Sequence, residues 1–240
     1  MAGIIQKTWR GYLSRKNNVF IQFKKLDHIF KKEITGYHLI NDEALKENTW
    51  EEINMNVIGV NHKIIKKASG SHQSGVDNEI DICSLSNKTT KLVGDMVKIS
   101  SYRLTNVCNQ KDIGNKDTII EEIEKRDKSF DYYSILLRKE QSQDIIEYEW
   151  FVIPKELYIF DIKKHGLEPK IGKIGKNKNK QTGWENKYCE IIFSMSSQLW
   201  MKFNYSDIKK YKISNAIVDK TKLPKINYSE LCKLLNVLNI

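Results

Sequence analysis

The sequence predicts an α/β fold in which a mixed central sheet is flanked by helices, preceded by a basic N-terminal helix. Segments with helical apolar spacing alternate with short segments rich in Val, Ile, Tyr and Phe, and that alternation is typical of helices packed on a sheet. The chain has 240 residues, of which 40% are hydrophobic. It is therefore long enough for one sizeable hydrophobic core.

The N-terminal segment is predicted to form one long basic helix over residues 4–33, with a break near Asn17. Its first 32 residues carry eight Lys and Arg side chains and a single acid, Asp27. Apolar residues recur at spacings of three, four and seven, as on one face of a helix: Ile5, Trp9, Leu13, Phe20, Phe23 and Phe30. We therefore divide the chain into a basic amphipathic helix over 1–36 and an α/β domain over 37–240.

The first half of that domain is predicted to contain a helix, three strands, a second helix and two more strands. Asn41 or Asp42 can cap the first helix through a side-chain oxygen, and Ser86-Asn87 is predicted to be a turn. In chain order, the predicted elements are a helix over 42–54, strands over 57–66, 76–85 and 96–104, a helix over 117–128, and strands over 132–138 and 147–153.

The second half is predicted to begin with a basic, glycine-bearing loop over 166–183. A hairpin is predicted from strands over 188–193 and 198–203, and a short helix over 229–238. Trp200 on that hairpin would suit base stacking on a nucleic-acid surface, although plain packing in the core is the alternative.

Composition and missing motifs restrict the function. The formal net charge is +10, which favours a polyanionic partner, although an AT-rich coding bias would also enrich lysine. No apolar run reaches the ~20 residues of a membrane span, and no signal peptide is apparent. We therefore expect a soluble intracellular protein of the cytoplasm or nucleus, with a protist or a large DNA virus as a compatible source. No P-loop, dinucleotide-binding, HExxH or GxSxG motif is present.

The N-terminal helix contains a pattern that resembles the IQ motif of proteins that bind calmodulin or related EF-hand light chains. The defining positions of IQxxxRGxxxR are occupied by Ile5, Gln6, Arg10, Gly11 and Arg15. Apolar anchors on one helix face would enter a groove, while the arginines would meet acidic residues. The alternative is a basic amphipathic helix that packs on its own domain.

A second pattern lies between residues 71 and 89, where Asp77 heads a predicted strand and Lys88 follows eleven positions later. This resembles the core of the PD-(D/E)XK nucleases, the restriction-endonuclease-like superfamily. The resemblance implies that Asp77 binds Mg²⁺ and that Lys88 positions or activates the attacking water at a fork between strands. The predicted element order over 42–153 agrees with the same superfamily.

This chain departs from the family at Ser86, where most members carry an acid two residues before the lysine. Some members have this S-x-K form and recruit a glutamate from elsewhere, so we assign Asp77, Ser86 and Lys88 as catalytic, with Glu79 as the second metal ligand. The alternatives for the recruited acid are Glu43, Glu47, Glu51 and Glu52. Asp81 is a competing ligand, because Asp77, Glu79 and Asp81 would share one face of a strand. A row of three acids is also common on a solvated strand.

The resemblance implies a Mg²⁺-dependent DNA endonuclease of the restriction type, and such enzymes often act as homodimers on symmetric sites. The alternative is a non-enzymatic adaptor, which binds calmodulin or binds DNA on an inactive nuclease-like fold. Phosphate contacts are expected from basic side chains near the site and on the basic loop: His72, Lys98, Arg103, Lys173, Lys176, Lys178 and Lys180.

Overall fold

The computed structural model describes residues 18–67, 76–103, 115–194 and 198–224, together with Ile226 and Glu230. Helical residues 18–24 precede α1 (Asp27–Ile40) and α2 (Glu47–Gly59), and later helices are α3 (Lys116–Asp127), α4 (Ile162–His165) and α5 (Tyr205–Ile208). The strands are β1 (Ile64–Lys67), β2 (Asn78–Ile80), β3 (Ser84–Lys91), β4 (Met96–Arg103), β5 (Tyr132–Glu140), β6 (Ile145–Pro154), β7 (Glu168–Ile171), β8 (Gln181–Glu185), β9 (Cys189–Ser194), β10 (Gln198–Asn204) and β11 (Lys212–Asp219).

The strands form two sheets. The first has the order β1-β2-β3-β5-β6-β11, and it is mixed because β3 and β5 run parallel while the other neighbours are antiparallel. A parallel pair needs a crossover connection, and here it contains β4 and α3. The second sheet is antiparallel, with the order β4-β10-β9-β8-β7.

The mixed sheet is covered on both faces. On one side Phe30 and Trp50 of α1 and α2 pack against Trp150 of β6. On the other side Ile135 of β5 belongs to a core shared with Phe203 of the second sheet and with α3. Burial on both faces explains why residues 132–137 of β5 are apolar or aromatic apart from Ser134. None of the helices in the described ranges is long and apolar enough to cross a membrane.

The predicted fold class is confirmed at the level of an α/β protein whose mixed sheet is flanked by helices. The strands predicted at 96–104, 132–138 and 147–153 correspond to β4, β5 and β6 within a few residues, and the helix at 117–128 corresponds to α3. The predicted hairpin corresponds to β9 and β10. In these segments the spacing of apolar residues in the sequence matches the side chains that are buried in the structure.

Five element predictions need correction. The strand predicted at 76–85 is divided, because β2 ends at Ile80, the chain reverses over residues 81–83 and β3 begins at Ser84. The helix predicted at 42–54 begins only at Glu47, so neither Asn41 nor Asp42 caps it.

The strand predicted at 57–66 is correct only over residues 64–66, which lie in β1, because α2 continues to Gly59: Trp50, Ile53 and Val57 form a buried helical stripe. Ser86 and Asn87 lie inside β3 and are not a turn, and the segment at 166–183 contains β7 and β8 instead of an open loop. The sequence analysis also missed β11.

The described part of the N-terminal segment belongs to the main core. The helical residues 18–24 and α1 are separated by a turn at Lys25 and Leu26, and Phe23 and Phe30 are fully buried. The boundary predicted between residues 36 and 37 falls inside α1. The IQ-like residues Ile5, Gln6, Arg10, Gly11 and Arg15 lie outside the described residues, as does nearly all of the helix predicted at 229–238.

Candidate active site at the edge of the mixed sheet

Asp77 and Lys88 are brought together by the short pairing of β2 with β3. The chain reverses after Ile80, whose N–H donates to Cys83 O. The two strands then pair only at Asn78 with Leu85 and at Glu79 with Ser84. Beyond Leu85 the edge of β3 is no longer paired with β2, and the Asp77 carboxylate accepts the hydrogen bonds of this edge instead. The Asn87 N–H donates to Asp77 Oδ2 over 2.5 Å, and Ser86 Oγ donates to the same oxygen over 3.4 Å.

The Lys88 ammonium lies among acidic and carbonyl oxygens at this edge. Its Nζ is 3.8 Å from Asp77 Oδ2 and 3.3 Å from Glu47 Oε1, and it donates to Asn87 O over 2.7 Å. The Lys88 side chain is only 12% exposed. Ion pairs with this degree of burial are less screened than surface pairs, so the attraction between Lys88 and these carboxylates is stronger than in an exposed pair.

A second glutamate of α2 adds negative charge to the same edge. Glu51 follows Glu47 by one helical turn, and residues four apart share a helix face. Burial raises the pKa of Glu51 to about 7, and the negative charges of Asp77 and Glu47 act in the same direction while Lys88 opposes them. Three carboxyl groups therefore share this edge with one ammonium.

A buried hydrogen-bond network fixes α2 against β3 and β5. Asn54 Nδ2 donates to Asn87 Oδ1 over 2.6 Å and to Ser134 Oγ over 3.1 Å. The indole N–H of Trp150 also donates to Ser134 Oγ, and that of Trp50 donates to Ser134 O. Asn87 is thus held on one side by Asp77 and on the other by the helix that carries Glu47 and Glu51.

The remaining acids considered from the sequence lie in other settings. Glu79 is half-buried in β2 and forms no ion pair with a described residue. Asp81 lies in the turn after β2, where its Oδ1 is 3.1 Å from His62 Nδ1. Glu43 pairs with Lys46 at the surface, and Glu52 is exposed.

The predicted phosphate contacts are dispersed. Lys98 lies in β4, with its Nζ 4.3 Å above the ring of Trp200 in a cation–π contact. Lys173, Lys176, Lys178 and Lys180 are exposed between β7 and β8. His72 lies outside the described residues, and Arg103 is described only through its backbone at the end of β4.

The donor set at this edge agrees with Mg²⁺ in chemical type and in charge. Mg²⁺ binds carboxylate oxygens through one or two protein side chains and retains several waters. Burial raises the pKa of Glu51, and the negative charges of Asp77 and Glu47 add to this effect, so a divalent cation beside these carboxyl groups would favour their ionised forms. Within the described ranges, however, no three His, Cys, Asp or Glu side chains are already arranged to hold a metal ion.

Sequence reasoning placed Asp77 and Lys88 together but missed the supporting network. Glu47 and Glu51 were among the candidate acids named from the sequence, and their spacing of four on a predicted helix indicates that they share one face. Asn54 carried a detectable signal, because it interrupts the apolar face formed by Trp50, Ile53 and Val57. Ser134 carried none, because it lies in a buried strand whose neighbours in sequence are all apolar.

No family model, curated protein or solved structure matches this chain. A function must therefore be argued from the side chains at this edge: Asp77, Ser86, Lys88, Glu47 and Glu51.

Proposed function

We propose that this chain is a Mg²⁺-dependent DNA endonuclease with a restriction-endonuclease-like core. The observation that carries the proposal is the position of Lys88, whose Nζ lies 3.8 Å from Asp77 Oδ2 at the edge where β2 stops pairing with β3. The resemblance to PD-(D/E)XK nucleases implies this relation: an aspartate and a lysine from neighbouring strands that meet where the strands separate.

The element order supports the same core. α2 precedes four strands, β1 to β4, α3 follows, and β5 then pairs with β3 in parallel before β6 returns antiparallel. This is the order of helix, strands, helix and strands on which the resemblance over 42–153 rests. β4 is the exception, because it leaves the mixed sheet and pairs with β10 in the second sheet.

Glu51 is the best candidate for the acid that Ser86 does not supply. It is half-buried in α2, and it interacts electrostatically with both Asp77 and Lys88. Glu47 is the alternative, because it contacts Lys88 directly. We therefore assign Asp77 with Glu51 or Glu47, in preference to Glu79, as the residues that would hold Mg²⁺.

The roles of these residues follow from their chemistry. Mg²⁺, when bound, would supply Lewis-acid stabilisation of charge on the scissile phosphate. Lys88 is held by Asn87 O and Glu47, so its ammonium can orient the attacking water with little reorganisation. Ser86 Oγ donates to Asp77 Oδ2, so it orients this carboxylate and does not replace the missing acid.

A nicking assay on supercoiled plasmid tests this proposal. The wild-type chain should cleave with Mg²⁺ and not with a chelator, and Asp77→Asn and Lys88→Met should each lower the rate by about 100-fold or more. Glu51→Gln is compared with Glu79→Gln and Glu52→Gln, of which only Glu51→Gln should behave like Asp77→Asn. Cleavage that survives both Asp77→Asn and Lys88→Met excludes this site as the catalytic one.

A DNA-binding protein with an inactive nuclease-like site is the second candidate. The observation that favours it is the ion pairing of Lys88 with Glu47 and Asp77. The Lys88 ammonium thereby neutralises part of the negative charge that would otherwise attract a metal ion. In that case the wild-type chain binds duplex DNA equally with and without Mg²⁺ and cleaves none.

Calmodulin binding through Ile5–Arg15 is a separate adaptor function, which a pull-down tests by loss of signal in Gln6→Ala with Arg10→Ala.

A further inference from the structure

The hairpin of β7 and β8 ends in a tip, residues 172–180, that is folded by its own backbone. The Gly172 N–H donates to Lys180 O over 2.8 Å, and the Asn179 N–H donates back to Gly172 O over 2.9 Å. Gly175–Asn177 form a 3₁₀ turn. A Cβ on Gly172 would lie 2.1 Å from Asn177 O, so glycine is required there. The tip is therefore a formed structure with a defined shape.

The tip carries positive charge that no acidic side chain in the described part of the chain offsets. Residues 172–180 contain four lysines and no acid, and all four are exposed and form no ion pair within the described chain. The base of the hairpin differs, because Lys170 is paired with Glu185 and Glu190. Uncompensated charge is thus confined to the end of the hairpin, which favours an anionic partner there.

Ile174 lies within this cationic tip and is 84% exposed, more than any other large apolar side chain in the described ranges. Ile174 therefore contributes nothing to the core. An apolar side chain surrounded by cations matches a partner whose surface is anionic and whose interior is apolar. Duplex DNA is such a partner, since phosphates line its grooves and stacked bases lie between them. Proteins that bend DNA through the minor groove insert apolar side chains, Ile among them, between base pairs.

We propose that the tip enters the minor groove of duplex DNA, where Lys173, Lys176, Lys178 and Lys180 contact phosphates and Ile174 inserts between base pairs and kinks the duplex. This inference rests on the proposed function for its choice of DNA as the partner, but it does not need hydrolysis. A kink would widen the groove and allow the β7–β8 hairpin to follow it. The hairpin would then deform the DNA that the nuclease-like core binds.

The test measures bending and binding in a chelator, so that cleavage plays no part. A duplex of about 30 base pairs, shorter than the persistence length of DNA, carries a fluorophore at each end, and energy transfer reports its end-to-end distance. The full wild-type chain should raise the transfer efficiency. Ile174→Ala should abolish that rise and weaken binding about tenfold. Ile217→Ala is the matched control, because Ile217 is 61% exposed on β11, and it should change neither quantity.

A lysine variant tests the charge separately. Lys176→Ala with Lys178→Ala should reduce the slope of log affinity against log salt concentration by about two, roughly one for each ammonium group that no longer meets a phosphate. An unchanged salt slope in this variant would overturn the assignment of the lysines.

The possible failures are distinguishable. Equal bending by the wild type and Ile174→Ala overturns the insertion, whatever the cleavage assay shows. If the wild type binds anionic phosphatidylserine vesicles through Ile174 and does not bind the duplex, the tip is a membrane contact and the inference is wrong. Bending that depends on Ile174 without any cleavage supports the inference and removes only the nuclease proposal.

Discussion

Asn54 of α2 and Asn87 of β3 are joined by a hydrogen bond of 2.6 Å between two fully buried side chains. The same helix carries Glu47 and Glu51 at its exposed end, and the residue after Asn87 is Lys88. This buried contact, together with the hydrogen bonds from Trp50 and Asn54 to Ser134, therefore holds the acids of the helix near the ammonium of the strand. Polar groups buried in this way specify one arrangement, because an unpaired alternative is costly.

Asn54→Ala should lower the free energy of unfolding by about 1–3 kcal/mol, because it leaves the Asn87 amide and Ser134 Oγ without this partner. Denaturant unfolding of Asn54→Ala, Asn87→Ala and the double variant gives the coupling between the two residues. We expect the double variant to be clearly more stable than the sum of the single losses implies. Strict additivity would show that the two amides do not depend on each other.

Lys88→Met should destabilise the protein near neutral pH, by roughly 1–2 kcal/mol, because Glu47, Glu51 and Asp77 lose the cation between them. The loss should shrink toward about pH 5, where Glu51 is protonated and repulsion is weaker. Lys91→Met is a control on the same strand, because Lys91 forms an exposed pair with Glu140 and should change stability by under about 1 kcal/mol. Thermal unfolding at both pH values, in a chelator, measures the difference.

Glu51→Gln should stabilise the metal-free protein at high pH. Burial, with Asp77 and Glu47, raises the pKa of Glu51 from its ordinary value of 4.5 to about 7, so between those values the folded state binds more protons than the unfolded state. Stability then falls as pH rises through that window, and above about 7 the full cost of the ionised carboxylate is present.

The measurement is the difference in melting temperature between Glu51→Gln and the wild type, taken from about pH 4 to pH 8 in a chelator. It should increase with pH and level off above about pH 7. Glu52→Gln, at an exposed neighbouring position, should show no such increase. A flat difference for Glu51→Gln would mean that this carboxyl has an ordinary pKa.

The sequence was informative where local pattern and tertiary environment agree. The apolar and β-branched content of Tyr132–Arg138 predicts a strand, and β5 is indeed buried along this stretch. The spacing of Asp77 and Lys88 around a reversal predicts that the two charged groups meet. The distance between them is short, although the reversal lies at residues 80–83 and not at Ser86-Asn87.

The features that the sequence did not predict depend on contacts between residues that are distant in sequence. Val57 and Ile58 favour a strand by composition, but in α2 they complete a face that packs on the sheet, and burial outweighs their intrinsic preference. β11 is only partly apolar, and it pairs with β6, some 60 residues earlier. The sequence narrowed the acids that a helix could bring to the site to a few glutamates. Which of them reach Lys88 depends on how α2 packs on β3, and this packing is a contact between segments distant in sequence.

Glu149 of β6 is a buried acid that links its strand to β5, β11 and α5 through Lys139, Lys212 and Tyr205. Its side chain is 1% exposed, and Lys139 Nζ and Lys212 Nζ lie 2.8 and 2.9 Å away while the Tyr205 hydroxyl donates to it. Burial disfavours ionisation, but hydrogen bonds from these three side chains outweigh it and hold the pKa of Glu149 below its ordinary value. The stabilisation is therefore present above about pH 4.5 and is lost as pH falls through the folded-state pKa.

Glu149→Gln should lower the free energy of unfolding by about 3 kcal/mol near neutral pH, because two partly buried ammonium groups lose their counter-charge. In acid the gap between Glu149→Gln and the wild type should narrow, since the wild type loses the same interaction. Glu147→Gln is the matched control, because Glu147 lies 3.9 Å from Lys139 on the same strand and contributes far less. A gap that stays constant from neutral pH into acid would contradict an ionised Glu149, and would indicate that the carboxyl is buried in its neutral form.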